Sequence, residues 1–256
     1  MSTERLAREQ AFHDHTFAND TRTRVGRFYA VARSSDAFYQ AELLRRCPGA
    51  AVLEYGCGRG SSAYALAAAG ARSVLGIDIS PVAIDLARVR AEREGVADAT
   101  RFEVMDAEHL KVPDDEFDLC CGTSILHHLD LDQAFDEVAR VLSPGGSALF
   151  YEPLGHNPAI NLYRRATPSI RTEDEHPLLV EDLERARRRF AHVEMRYFHL
   201  TALAAAAAYG RAPFVPLLRG LEGFDRGLFR VVPKATRWAW VVVLSLSRPI
   251  ADPGST

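Results

Sequence analysis

The stretch Val52-Leu53-Glu54-Tyr55-Gly56-Cys57-Gly58-Arg59-Gly60 sets three glycines at alternate positions directly behind a short apolar run. Glycine weakens strands and helices alike, so three of them here mark a place where main chain must turn sharply or meet something that admits no side chain. The run before them has the length of a strand, and residues 61–70, closed by Gly70, read as a helix. A strand, a glycine turn and a helix in this order open a parallel sheet, and the crevice beside such a turn is where these sheets hold nucleotide-like ligands.

The alternation continues from Ala50 to Glu152. Residues 72–79, 100–107, 117–124 and 147–153 read as further strands. Ser80-Pro81 supplies a cap and a first-turn proline for a helix running to Gly95, Asp130 and Gln133 form a capping box for a helix over 131–142, and Ser143-Pro144-Gly145-Gly146 reads as a turn. Apolar strands alternating with helices predict an α/β fold with a doubly wound, mostly parallel sheet covered on both faces. Residues 1–46 read as an N-terminal helical lid and 47–256 as the main domain, with helical insertions at about 155–190 and 201–232. Within these, 157–165 and 178–190 are expected to be helical, 202–229 to form one or two apolar helices, and 192–200 and 236–247 to be the closing strands.

Composition narrows the partners. A formal net charge of −3 gives no reason to expect nucleic acid. The basic run Arg185–Arg189 follows Glu181, Asp182 and Glu184, as on a solvated helix face. The beginning of the chain lacks the apolar stretch of a signal peptide, and the longest apolar runs fall short of the ~20 residues of a membrane span. Cys47, Cys57, Cys120 and Cys121 show no paired spacing. A cytoplasmic protein with reduced thiols is the expectation.

The ligand follows from the loop and its neighbour. Asp78 ends the second strand about twenty residues after Gly58, where an acidic residue accepts hydrogen bonds from ribose hydroxyls. A pyrophosphate calls for GxGxxG, whereas this loop runs GxGxG behind Glu54, a carboxylate that repels phosphate and suits a ligand with an amino group and a sulfonium. S-adenosylmethionine is therefore favoured over NAD. These segments, with Val104–Leu110 and Phe117–Leu129, resemble the successive motifs of class I S-adenosylmethionine-dependent methyltransferases of the type 11 group. The resemblance implies a Rossmann-like sheet of seven strands, the last antiparallel. It maps the methionine part of the cofactor to Glu54, Gly56, Cys57, Gly58 and Gly60, the ribose to Asp78, the adenine to Ile79, Asp106 and Ala107, and the methionine end also to Gly122 and Thr123.

The acceptor belongs above the ends of the fourth and fifth strands. His127 and His128 are candidate general bases, since imidazole titrates near neutrality. Glu152, before Pro153, is expected to face the same cleft and touch the acceptor. Tyr29 and Tyr39 are candidates for lining the sulfonium. Arg164, Arg171 and His176, in a charged segment with Arg165, Glu173, Asp174 and Glu175, are candidate substrate ligands. Asp174 and His176 lack a second ligand pair of convincing spacing, His13-Asp14-His15 reads as a helical surface segment, and no metal site is expected. The implied activity is methyl transfer to a small, largely apolar acceptor, O-methylation first, in specialised metabolism. The alternatives are C-methylation of a quinone or an isoprenoid diphosphate, the latter with Mg²⁺, and a non-catalytic cofactor-binding protein on this scaffold.

Overall fold

The computed structural model describes residues 3–19, 26–60, 62–166 and 177–250. Strands β1 (Ala51–Tyr55), β2 (Ser73–Asp78), β3 (Thr100–Val104), β4 (Phe117–Thr123), β5 (Leu142–Pro153), β6 (Phe190–Phe198) and β7 (Val241–Pro249) form one sheet in the order β3-β2-β1-β4-β5-β7-β6. The pairs among β1 to β5 are parallel, and β7 runs antiparallel to both of its neighbours, β5 and β6. This is the expected doubly wound sheet with its last strand reversed. The chain winds to β2 and β3 on one side of β1 and crosses to β4 on the other, so the glycine loop after β1 stands at the switch point.

Strand alternation divides the core between the two faces. Leu53, Tyr55, Cys120, Phe150, Val242 and Leu244 face one layer with Phe135 and Val138. Val52, Leu119, Cys121, Leu149 and Val243 face the other with Tyr39, Leu43, Leu66 and Ile84. Helix α5 (Leu131–Val141) supplies the first layer, and α2 (Gly26–Arg46), α3 (Ala63–Ala68) and α4 (Pro81–Glu94) the second. The remaining helices are α1 (Thr3–Asn19), α6 (Pro158–Ala166), α7 (Val180–Leu183) and α8 (Phe214–Val231). The cysteines are free and buried. No helix of the described residues is long and apolar enough to cross a membrane.

The local signals act as chemistry requires. Ser80 Oγ accepts from Ala83 N at 3.1 Å with Pro81 in the first turn, Gly95 closes α4 at φ +70°, and Asp130 accepts from the N–H groups of Asp132 and Gln133, while its own N–H goes to Glu108 Oε1 rather than completing the expected capping box with Gln133. Three further expectations need correction. Ser143–Gly146 lies inside β5, whose register with β4 shifts between Phe117 and Leu119. The proposed helix over 178–190 is a single α-turn, α7, followed by a 3-10 helix over Glu184–Arg188, while residues 201–208 are also 3-10 and only α8 is a long helix. The last strand starts at Val241, because Pro233–Trp238 forms a 3-10 helix.

The insertions build a small third core. Val31 of α2, Ile160 of α6 and Ala202 and Leu203 pack with Phe28, Phe214, Leu218, Leu221 and Trp240. Asp225 of α8 is buried in this region and accepts from the N–H groups of Leu200, Thr201 and Ala202 and from the Thr201 hydroxyl. Beside it, His199 sits at φ +61° with Nε2 2.9 Å from Ser35 Oγ, which in turn lies 3.0 Å from the Tyr151 hydroxyl. Its Nδ1 is 3.9 Å from Glu222. Burial, only partly opposed by Asp225, pulls the His199 pKa from 6.5 down to about 4.

A depressed histidine pKa means that the unfolded chain takes up the proton first. The His199 contribution is complete above pH 6.5 and is lost as pH falls through the window to about 4, a cost of about 3 kcal/mol. His199→Gln should flatten the acid limb of a urea-midpoint profile between those values. An unaltered limb in the variant would show that this imidazole does not carry the effect.

Candidate active site

Two carboxylates shape the turn after β1. Gly56, Gly58 and Gly60 adopt φ of +60°, +53° and +79°, the left-handed region that side chains resist. A Cβ at Gly56 would stand 2.8 Å from Ile125 Cδ1, and one at Gly122 would stand 2.8 Å from Ile125 Cγ2. Glu54, buried, accepts from Ser62 N at 2.8 Å and Ala63 N at 2.9 Å, so it caps α3. Asp78 Oδ2 accepts from Gly58 N at 2.8 Å and Oδ1 from Ser80 N at 2.9 Å. Each carboxylate thus draws main-chain N–H groups together from the end of its strand. Cys57, buried in this turn, continues the β1–β2 ladder through its N–H to Ile77 O at 2.9 Å.

A second arrangement stands at the ends of β4 and β5. Glu152 is fully buried, and its Oε1 accepts from Ile125 N and Leu126 N, each at 2.8 Å. Its Oε2 lies 2.8 Å from His127 Nδ1. The expectation that Glu152 touches the acceptor is therefore corrected: its oxygens hold the 125–127 turn and the imidazole. With Glu152 ionised, the proton of His127 belongs on Nδ1, and Nε2 keeps a basic lone pair. The rings of His127 and His128 lie 4.3 Å apart. Burial lowers the His128 pKa against the opposing pull of Glu9.

Helix α1 crosses above these loops. Asp14 accepts from Ser80 Oγ after β2, while Arg5 donates to His128 O after β4 and lies 3.8 Å from Glu108. Because β1 lies between β2 and β4, α1 spans the mouth of the glycine turn. Glu9 and His13, one turn apart on α1, both reach toward His128. Sequence reading missed Arg5, Glu9 and Glu108; the i,i+4 spacing of Glu9 and His13 was the available signal.

The other expected residues divide. Ile79 is half-buried beside Asp78, and Asp106 Oδ1 accepts from Glu108 N at 2.9 Å, a turn-capping role, with buried Ala107 between them. Tyr39 is buried and donates to Gly122 O at 3.1 Å next to exposed Thr123, its ring 5.7 Å from that of Tyr151. Tyr29 is exposed on α2. Arg164 donates to Leu154 O at 3.3 Å and lies 3.4 Å from Asn161 Oδ1, which ties α6 to the end of β5. Arg171 and His176 lie outside the described residues.

Replacing Glu152 by glutamine leaves one acceptor oxygen where two backbone donors and an imidazole N–H converge. Glu152→Gln should destabilise the fold by ~1–3 kcal/mol in chemical denaturation. It should also move the His127 proton between ring nitrogens, visible in nitrogen-15 spectra. An unchanged tautomer would remove the positioning role.

Residues 52–146 match the family model for a methyltransferase domain. The chain is 41% identical over 118 residues to methyltransferase GfsG of Streptomyces halstedii, a match covering 46% of this chain and 42% of that protein. It is 39% identical over 118 residues to 27-O-demethylrifamycin SV methyltransferase of Amycolatopsis mediterranei, covering 46% and 43%. The match thus covers less than half the length of either relative. In fold, the chain resembles geranyl diphosphate C-methyltransferase of Streptomyces coelicolor, solved with Mg²⁺, geranyl diphosphate and S-adenosyl-L-homocysteine, at a TM-score of 0.59 and 15% identity over 84% of this chain and 80% of that one. The donor set fits S-adenosylmethionine: three of the five turn residues, Gly56, Gly58 and Gly60, carry no side chain, Asp78 ends β2, and Glu54 already occupies the α3 N–H groups that a pyrophosphate would need. Residues 52–146 are therefore similar to methyltransferase domains, on a seven-stranded sheet with the class I methyltransferase fold.

Proposed function

We propose that this chain transfers a methyl group from S-adenosylmethionine to a hydroxyl of a small, largely apolar organic acceptor in specialised metabolism. The observation that carries the reading is the buried His127–Glu152 pair at 2.8 Å, at the carboxyl ends of β4 and β5. The cofactor supplies a methyl carbon on a sulfonium, with its leaving group built in. The chain must orient the acceptor, exclude water and receive a proton. His127 Nε2 receives the hydroxyl proton, and the Glu152 carboxylate offsets the charge that then forms on the ring. Gly56–Gly60, Gly122 and Thr123 hold the methionine end, Asp78 the ribose, and Ile79, Asp106 and Ala107 the adenine. Asp78 then exchanges its bond from Gly58 N for ribose hydroxyls.

The α1 helix serves as the lid in this reading, since it spans the loops after β2 and β4. The apolar third core between α2, α6 and α8 adjoins the end of β5 and favours an apolar acceptor. The relative named for a 27-O-demethyl substrate supports an oxygen acceptor. C-methylation of a quinone or an isoprenoid diphosphate is the alternative, the latter drawing on Mg²⁺. Against it stands Arg164, whose guanidinium is engaged with Leu154 O and so is not presented as a diphosphate grip.

The test is release of S-adenosylhomocysteine across a panel of apolar alcohols and phenols, with geranyl diphosphate plus Mg²⁺ and a menaquinone as the other arms. O-methylated product is expected. His127→Asn should lower kcat by ~10²–10⁴ while leaving cofactor affinity intact. Asp78→Ala should weaken S-adenosylhomocysteine binding by ~1–3 kcal/mol in titration calorimetry. Methylation at carbon alone would overturn the oxygen assignment, and cofactor binding with no turnover in any arm would favour the non-catalytic scaffold.

A further inference from the structure

The α1 helix meets the β4–α5 connection through a set of side chains that methyl transfer does not use. Glu9 and His13 project from one face of α1, and His128 rises from the 3-10 turn after β4. Glu9 Oε2 lies 3.5 Å from His13 Nε2 and 3.2 Å from His128 Nδ1, and the three ligand atoms fall within 4.8 Å of one another. The rings of His13 and His128 stand 5.5 Å apart, nearly edge to face at 74°.

These spacings are informative. Four ligand atoms on a tetrahedron at ~2.1 Å from a zinc-type ion stand ~3.4 Å from one another. The two edges from Glu9, 3.5 and 3.2 Å, bracket that value, the shorter also being within hydrogen-bond reach. The neighbouring His127–Glu152 contact, at 2.8 Å, is by contrast the length of a direct charge-assisted hydrogen bond. The donor types agree with the spacing: two imidazoles and one carboxylate suit a borderline divalent ion rather than Mg²⁺, which prefers oxygen ligands and retains water. All three side chains are largely shielded from solvent, with side-chain exposures of 7% for Glu9, 16% for His13 and 13% for His128.

We propose that Glu9, His13 and His128 form a binding site for a divalent first-row transition ion of the zinc type, which clasps α1 to the β4–α5 connection. With three protein ligands, a position stays open for water or an oxygen of a small molecule. The groups clustered with His13 are thus not its neighbours in the His13-Asp14-His15 run but a carboxylate one helical turn back and a histidine 115 positions on. The binding of the ion stands apart from the methyltransferase reading; only its service as a clasp over the cofactor crevice rests on that reading.

The full chain, stripped with chelator and free of cofactor and acceptor, is titrated with Co²⁺ and then competed with Zn²⁺ in equilibrium dialysis. Stoichiometric binding is expected, with a visible d–d band of low coordination number and no thiolate charge-transfer band, because the cysteines do not take part. Glu9→Gln and His13→Gln should each weaken binding by roughly 100-fold. Zn²⁺ should slow hydrogen exchange in α1 of the unsubstituted chain, a readout that needs no variant to fold. Substoichiometric binding, a thiolate band, equal affinity in both variants, or unaltered exchange in α1 would each overturn the site. Because no methyl donor is present, failure here leaves the transfer reaction untouched, and absence of turnover leaves the metal result standing.

Discussion

The bonds from Asp78 to Gly58 N and from Glu54 to the first turn of α3 determine where everything else in this site can stand. A chain leaving a parallel strand must reverse within a few residues to start its covering helix. Here it does so through three left-handed glycines, a conformation that offers N–H groups on the inside of the bend. Left alone, such a nest attracts anions. Glu54 takes the donors at the head of α3, and Asp78 takes the one at the centre of the loop. The two carboxylates thus take up donors that a pyrophosphate would otherwise meet and put negative charge beside the glycine turn.

The same device recurs on the acceptor side. Glu152 draws together the N–H groups of Ile125 and Leu126 and thereby folds the turn that presents His127. Ser124, at φ +55°, enters that turn with its N–H bonded to Tyr151 O at 2.8 Å. A carboxylate buried among backbone donors is costly to desolvate, and two N–H bonds plus an imidazole offset that cost. The outcome is an imidazole whose orientation is fixed by the protein's own groups.

What sequence alone conveyed follows from the range of the interactions. The sheet, its helix caps and the family motifs depend on contacts within a strand–helix unit, so Ser80-Pro81, the Asp130 cap and the apolar run before the glycine loop were legible. Glu152 misled because its position at the end of β5 indicated proximity to the cleft but not which way its oxygens point; that depends on Ile125 and Leu126, which lie on another strand's loop. The insertions were harder for a related reason. Ala-rich residues 201–208 have the composition of an α-helix, yet Asp225 of α8 fixes their first N–H groups and the segment winds as 3-10. Tertiary partners overrode propensity there. The N-terminal helix was anticipated, but its register against Ser80 and His128 was not, since no local pattern encodes contacts across more than sixty residues.

The docking of α1 differs in kind from the rest of the molecule. The sheet is closed by buried apolar side chains on both faces, whereas α1 is held at the crevice through Asp14 to Ser80 and Arg5 to His128 O and Glu108. Ser80 and Glu108 are buried and Asp14 and Arg5 half-buried, so these are shielded polar contacts, different in kind from the apolar layers beneath them. Glu9 of α1, 3.2 Å from His128 Nδ1, adds a further polar contact to the connection after β4. Both anchor points of α1 are also parts of the site: Ser80 follows Asp78 and caps α4, and His128 follows His127. The groups that hold α1 are thus sequence neighbours of the residues that shape the glycine turn and the turn at His127.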